Sequence, residues 1–358
     1  MPSSSVDTFL ASSVMIVLAL SAMVGTAKLM SPYLNDLARR DDVEQLLHLA
    51  SHLLLATGTP ANWGQLTNMK PASLGLAKAN ALEPYELDID KVTRLNSENV
   101  YSLEYSDLWQ AFGIKDVSFQ IEIKYLFELS IEPIFSSNEG NQTAYEFQID
   151  AQRSGVPIQA RLNGYAIVKD FVTRTTTLTS ANGTGTLFAR VPNSLNGTAL
   201  FLVFAQSTAN QNVVSVNAYV FSHNSQNHIP NEAFARLNPL DYAINATMLY
   251  DTVEVVSARV FTFNYNSSLT TEAQSGQTIE YAVPRFLDAS PSVVVVTGLN
   301  GSTSFAGWVA YPQVPLQIGA GFDESTAGSR IVVQSHIVAI NSALYEVITK
   351  WGGLSTGV

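Results

Sequence analysis

The sequence predicts an α+β fold, in which a long N-terminal α-helix, apolar and then amphipathic, precedes one or two antiparallel β-sandwich modules of immunoglobulin-like type. Three observations predict it. The chain opens with an uncharged apolar stretch from Thr8 to Ala27, and apolar residues continue beyond it at helical spacing. From about Val117 the apolar residues alternate with polar ones, and turn sequences separate the alternating stretches. Strand–helix alternation is missing from the pattern, which disfavours a parallel α/β sheet.

The opening helix is predicted from its length and spacing. At about 1.5 Å per residue, Thr8 to Ala27 covers roughly 30 Å, the thickness of a membrane's hydrocarbon layer. The pattern then becomes amphipathic and predicts one helix of about 50 residues with a kink at Pro32. The apolar positions that continue the helical spacing are Leu29, Tyr33, Leu37, Val43, Leu46, Leu47, Ala50 and Leu54.

The apolar stretch has three interpretations. A cleaved signal peptide would use Gly25-Thr26-Ala27 as its cleavage site, but no Lys or Arg precedes the apolar run, which is also long for this purpose. A simple membrane anchor needs only a flexible stem after it, whereas the helical pattern continues. The third interpretation is the packed core of an assembly, in which the segment exchanges lipid for the same segment of neighbouring copies.

The β-rich remainder suggests the domain boundaries. We expect the helix over residues 1–58, a connecting region packed on it over 59–115, a first β module over 116–225, a linker over 226–243 and a second β module over 244–358. The linker is placed where Ser222 to Ala243 has little strand character. The predicted strands are Val117–Ile131, Tyr145–Ile149, Tyr165–Val168, Phe171–Leu178, Thr186–Ala189, Ala199–Ala205, Val213–Phe221, Val253–Phe263, Val293–Thr297, Trp308–Ala310, Ile331–Ile340 and Leu344–Trp351.

Composition excludes several classes of function. The net charge of −11 argues against a nucleic-acid surface, which needs clustered Lys and Arg. The sequence has no cysteine, so disulfides, thiolate chemistry and Cys-based metal sites are excluded. His48 and His52 lie one helical turn apart, but no third metal ligand is indicated. No G-x-S-x-G elbow occurs. We therefore expect no catalytic residue, no cofactor and no metal.

Asn-x-Ser/Thr sequences indicate possible N-linked glycans. Each is weak by itself in a Ser/Thr-rich chain, but they fall in predicted turns and strand ends. An intact mass equal to that of the bare polypeptide would remove this hypothesis. The candidate acceptors are Asn141, Asn182, Asn196, Asn245, Asn266 and Asn300.

Three stretches together carry a resemblance to a known family. They are "HLASHLLLATGTPANWGQ" (His48–Gln65), "ASLGLAKANALEPYELD" (Ala72–Asp88) and "YSDLWQAFGIKDVSFQIEI" (Tyr105–Ile123). This succession resembles archaeal type IV pilin-like surface proteins and covers about the first third of the chain. The N-terminal "MPSSSV" departs from the family's short basic leader. The matching residues are Arg39, Arg40, Pro60, Asn62, Trp63, Leu74, Gly75, Leu76, Ala77, Gly113, Ile114, Phe119, Ile121 and Ile123.

The resemblance implies a non-enzymatic structural subunit of an archaeal extracellular type IV pilus-like filament. N-terminal helices would form the filament core, and the β modules an outer surface for adhesion. Copies of the chain would be the main partner, and the helix would sit in the membrane before assembly. The alternative is a monomeric membrane-anchored cell-surface glycoprotein or a minor pilin-like envelope component. The residues assigned to assembly are Asp7, Phe9, Leu10, Val14, Ile16, Val17, Leu18, Leu20 and Val24.

Asp7 has two interpretations. In pilins an early acid often neutralises the amino terminus of a neighbouring subunit, and Asp7 lies near that place in the resemblance. An acidic side chain at the start of a helix also serves as an N-cap. Both roles stay open.

Overall fold

The computed structural model describes residues 15, 20–21, 23–24, 26, 28, 30, 43–114, 117–285, 290–322 and 331–352. The chain divides into two compact units. One comprises Met1–Ser51 with Thr356–Val358, and the other comprises His52–Ser355. Every described residue of the first unit is helical, whereas the second unit contains all the described strands.

The predicted α+β class is wrong, because 53% of the described residues are in strands and only 12% in helices. Helical structure comprises residues 43–55, a 3-10 turn at Trp63–Gln65 and the short helices α1 (Ile89–Thr93) and α2 (Tyr105–Phe112), besides the described positions before residue 31. The helix at 43–55 stops shortly before Gly58 and Pro60, two residues that favour helix termination. The described part of the predicted helix has a buried stripe at Leu46, Ala50, Leu53 and Leu54.

The predicted membrane insertion is also corrected. Within the part of the chain that the structure describes, no helix is long and apolar enough to cross a membrane. The transmembrane-helix assignment, and the localisation that depended on membrane insertion through it, are therefore wrong. Much of the predicted helix, including Pro32 and the stretches 1–14 and 31–42, lies outside the described residues.

The described strands form five four-stranded sheets, and the pairings between their strands are antiparallel. Sheet I contains β2 (Glu128–Glu139), β3 (Gln142–Arg153) and β4 (Val156–Pro157), with β7 (Thr184–Pro192) also paired to β3. Sheet II has the order β6 (Phe171–Leu178), β5 (Ala160–Val168), β8 (Gly197–Ser207) and β9 (Val214–His223).

The other three sheets come from the second half of the chain and from one earlier strand. Sheet III has the order β13 (Asn266–Ser268), β12 (Val253–Phe261), β16 (Ser292–Asn300) and β17 (Thr303–Tyr311). Sheet IV has the order β10 (Ala235–Leu240), β11 (Ala243–Met248), β15 (Thr278–Ala282) and β14 (Thr270–Ser275). Sheet V has the order β18 (Leu316–Gly319), β1 (Ser118–Tyr125), β20 (Ala343–Gly352) and β19 (Val332–Ile340).

The first four sheets form two sandwiches. Sheets I and II enclose one core, where the rings of Phe147 and Phe201 stack with centroids 4.4 Å apart. Sheets III and IV enclose a second core, which contains Val260, Val294 and Phe305. Alternating apolar residues from facing sheets fill each core, as expected for sandwiches.

The two sandwiches pack on each other through sheets II and III, so that these four sheets form four layers. In β8, Phe201 and Val203 enter the first core, while Leu200 and Leu202 enter a third core shared with sheet III. The strands at the centre of the stack bury both faces, which explains the continuous apolar runs "ALFLVFA" and "VVVV".

Sheet V joins distant parts of the chain. Its strand β1 pairs with β20 from the C-terminal region, although the sequence placed residues 118–125 in the first β module. The predicted strand Val117–Ile131 divides into β1 and β2 because Leu126 and Phe127 are both buried, and consecutive side chains of one strand point to opposite faces. Residues 226–243, expected as a linker, contain β10 of sheet IV.

Candidate functional site

Only two of the residues assigned to assembly, Leu20 and Val24, belong to the described residues. Both are helical, and they are 57% and 56% exposed. Their described apolar neighbours are as exposed: Met15 at 72%, Met23 at 69% and Met30 at 59%. The described apolar side chains of this segment are thus all more than half exposed. Asp7, Phe9, Leu10, Val14, Ile16, Val17 and Leu18 lie outside the described residues.

The six candidate glycan acceptors occupy different environments. Asn141, Asn182 and Asn196 lie exposed in connections between strands. Asn245 lies within β11, and its Nδ2 donates to the Tyr101 hydroxyl at 2.7 Å. Asn266 begins β13 and Asn300 ends β16, and in both the Oδ1 atom accepts a side-chain hydrogen bond. Glycans at these positions stay a prediction. Of the three exposed positions, Asn196 has its Oδ1 engaged, since it accepts from Lys169 Nζ at 2.9 Å.

A buried ionic cluster surrounds α1, and two residues that carry the family resemblance, Trp63 and Ala77, contribute backbone carbonyls to it. Asp88 caps α1 through its side chain. Within α1, the charged residues Asp90 and Lys91 are buried, at 1% and 0% exposure. Lys91 Nζ donates to the carbonyl oxygens of Thr57 at 2.9 Å and Ala77 at 2.7 Å. Burial lowers the pKa of Lys91.

Arg94 holds a loop together in the same cluster. Its guanidinium donates to four carbonyl oxygens at 2.7–2.9 Å, those of Trp63, Leu66, Met69 and Tyr101. Its Cζ lies 5.6 Å from the centroid of the Trp63 ring. All of these acceptors are backbone atoms, so the charge organises the chain and leaves no open position for a reactant.

Asp90 connects α1 to the second sandwich. Its Oδ1 accepts from the Tyr311 hydroxyl at 2.6 Å and from the Asp241 amide at 2.8 Å. Burial, the largest cause, raises the pKa of Asp90 from 3.8 to about 6, while the hydrogen bond from Tyr311 opposes the rise. A buried carboxyl with this pKa resembles a general acid, but the groups that donate to it are structural and Asp90 is only 1% exposed.

A separate polar cavity is the best candidate for binding a ligand. We call it the amide cleft. Its volume is about 490 Å³, within the range typical of small-molecule sites. Its described lining consists of side-chain amides, hydroxyl groups, two aromatic rings and small apolar residues: Gln206, Gln211, Asn212, Val214, Thr262, Phe263, Asn264, Tyr265, Ser290, Pro291, Ser342 and Ala343.

Hydrogen bonds fix the connections that form the amide cleft. After β12, the Thr262 amide donates to the Tyr265 carbonyl at 2.9 Å, and the Tyr265 amide donates to Thr262 Oγ1 at 3.2 Å. After β8, Gln206 Nε2 donates to the Gln211 carbonyl at 2.9 Å. The Leu344 amide donates to the Asn212 carbonyl at 2.8 Å, which ties the β8–β9 connection to the start of β20.

The chemistry of the amide cleft suits binding rather than catalysis. Its described lining contains no carboxylate, imidazole or ammonium group, so these residues offer no charged ligand for a metal. Over the described parts of the chain, no three His, Asp or Glu side chains come together as a metal site would require.

The histidines lie away from the amide cleft. His48 and His52 are exposed. His223 is fully buried at the end of β9. Its Nδ1 accepts from the Tyr145 hydroxyl at 2.7 Å and its Nε2 donates to the Pro192 carbonyl at 3.0 Å. Burial lowers the pKa of His223, in keeping with a neutral structural ring.

Sequence reasoning missed the amide cleft entirely. Its walls come from four places that are distant in sequence, around residues 206–214, 262–265, 290–291 and 342–343. No local spacing relates them, and the turn sequences "NQN" (Asn210–Asn212) and "FNY" (Phe263–Tyr265) look like ordinary connections.

The chain matches no protein-family model, and no curated protein matches it.

Proposed function

We propose that the chain is a structural subunit that assembles with copies of itself into a type IV pilus-like filament. The apolar N-terminal segments form the contacts between copies, and the stacked β-sandwiches present an outer surface for adhesion. The subunit acts by assembling and presenting this surface, and no chemical turnover is involved.

The exposed apolar surface of the N-terminal segment carries this proposal. Leu20, Met23 and Val24 are more than half exposed, in a stretch from Thr8 to Ala27 without a charged side chain. Burying a side chain of this size stabilises an assembly by about 1.5–3 kcal/mol. Contiguous apolar surface on a soluble chain marks an interaction site, and the same segment of another copy has matching apolar chemistry.

The net charge of the chain favours specific assembly over non-specific aggregation. The net charge of −11 makes copies repel one another outside the apolar segment. This repulsion disfavours contacts between the charged surfaces of different copies.

A substitution in the segment tests the proposal. In Leu20→Asp, a carboxylate would have to enter an apolar contact, at a cost of several kcal/mol. We expect the purified full-length protein to form fibres, seen by negative-stain microscopy and as fast-sedimenting material. We expect Leu20→Asp to sediment as single chains.

Leu82→Asp is the matched control. Leu82 is 95% exposed and lies outside the N-terminal segment, so this variant should assemble like the parent protein. Parent protein that sediments only as single chains would support the monomeric alternative and refute the proposal. Equal assembly of Leu20→Asp and Leu82→Asp would refute it as well.

A further inference from the structure

We propose that the amide cleft binds a neutral carbohydrate of one or two sugar units. This inference names a ligand class for the adhesive surface and rests on the proposed function only for that role. The cleft itself belongs to the unit His52–Ser355. Its chemistry therefore does not depend on assembly.

The polar groups of the amide cleft match sugar hydroxyls. A hydroxyl both donates and accepts hydrogen bonds, and a side-chain amide offers a donor and an acceptor in one planar group. Gln206, Gln211, Asn212 and Asn264 bring four such groups to one cavity. The hydroxyls of Thr262 and Ser290 also line the cavity, where they bond to Tyr265 and to Tyr345 and so hold the wall in place.

The lining disfavours other ligand classes. A charged ligand would lose its hydration without meeting an opposite charge, since the described lining residues are all uncharged. A wholly apolar ligand would cover the side-chain amides of the lining without offering them a hydrogen bond. A neutral polyhydroxylated ligand satisfies both requirements.

Aromatic rings supply the apolar part of a sugar site. Tyr265 is 43% exposed and Phe263 is 8% exposed, and both line the cavity. A pyranose ring has an apolar C–H face, and a tyrosine offers a rigid ring with a polar tip. Amides beside an accessible aromatic ring can contact the two kinds of surface that a sugar presents.

The amide cleft is built before any ligand arrives. The Thr262–Tyr265 bonds and the Asn212–Leu344 bond hold its connections. Ser290 Oγ lies 2.7 Å from the Tyr345 hydroxyl, which anchors the opposite wall to β20. A preformed site lowers the entropy lost on binding.

Saturation-transfer NMR on the full-length protein tests the inference. The probes are maltose, cellobiose, mannobiose and N,N′-diacetylchitobiose, with the pair lactose and 3′-sialyllactose to compare neutral and acidic sugars. We expect saturation transfer to at least one neutral disaccharide and weaker transfer to the acidic member of the pair.

Two variants and a control locate the binding. Asn264→Ala and Tyr265→Ala each remove a lining group, and we expect each to raise the dissociation constant about tenfold. Asn68→Ala changes an exposed amide outside the cleft and should bind like the parent protein. Absence of transfer to every neutral probe would overturn the inference, as would equal binding by all three variants.

The sugar can come from two sources, which further arms of the experiment separate. Transfer to N-glycans released from the native protein would identify glycans on other copies as the ligand, whereas transfer to the disaccharides alone would identify external polysaccharide. Repeating the titration with Leu20→Asp separates this inference from the proposed function. If that variant binds sugar, sugar binding in the amide cleft is supported whether or not the variant assembles. If the parent protein forms normal fibres but binds no sugar, the inference of sugar binding is overturned and the proposed function is not.

Discussion

Asp90 shows how one buried carboxyl connects distant parts of the chain. It lies in α1, and its partners Tyr311 and Asp241 belong to the second sandwich region. The sequence "ELDID" displayed three acids at alternating positions, and no local pattern distinguishes the buried one. The neighbour that buries it follows more than two hundred residues later, so composition and spacing could not have predicted its role.

The pKa of Asp90 predicts a pH dependence of stability. Since folding raises this pKa from 3.8 to about 6, the folded chain holds a proton between these values that the unfolded chain has released. The contribution of Asp90 to the free energy of unfolding is therefore largest below pH 4 and falls as the pH rises to about 6. The full difference is about 3 kcal/mol.

Asp90→Asn isolates this contribution. The amide keeps an oxygen for the Tyr311 and Asp241 donors but does not titrate in this range. Urea unfolding at pH 4, 5, 6 and 7.5 should show that the parent protein loses stability relative to the variant as the pH rises. Parallel pH profiles for the two proteins would contradict the assignment.

The strands β8 and β16 show what the alternation of apolar and polar residues can and cannot predict about a strand. Period-2 patterns identified stretches within many of the strands, since half-buried strands alternate. A continuous apolar run such as that of β8 also indicated a strand, but only the structure shows that it is buried by two different sheets. Short polar strands such as β14, with every residue exposed, carry no hydrophobic signal and were missed.

The double burial of β8 predicts a large effect of truncation. Leu202 is 0% exposed in the core between sheets II and III, so Leu202→Ala should lower the free energy of unfolding by about 2–5 kcal/mol. Urea unfolding of the full-length protein gives the value.

Leu178→Ala is the control within the same sheet. Leu178 ends β6 and is 60% exposed, so its truncation should change the free energy of unfolding by less than about 0.5 kcal/mol. Equal effects of the two substitutions would mean that the two sandwiches do not pack through sheets II and III.

At the scale of the whole molecule, the sequence was most useful for locating apolar stretches and least useful for the bounds of each helix and strand. The predicted contact between the opening apolar stretches of different copies stays a prediction, and Leu20 and Val24 of this stretch are exposed. The same stretch led to a helix length and a membrane span that the described residues do not have. The amide cleft depends on loops from four parts of the chain meeting, which is a property of the topology.

Disulfide trapping tests the central claim, that N-terminal segments of different copies contact each other. The chain contains no cysteine, so Leu20→Cys and Leu82→Cys each carry one thiol, and both parent side chains are exposed. After mild oxidation at low protein concentration, Leu20→Cys should run on a non-reducing gel at twice the mass of a single chain, while Leu82→Cys stays single. If Leu20→Cys also stays single, the segments do not meet and the account is contradicted.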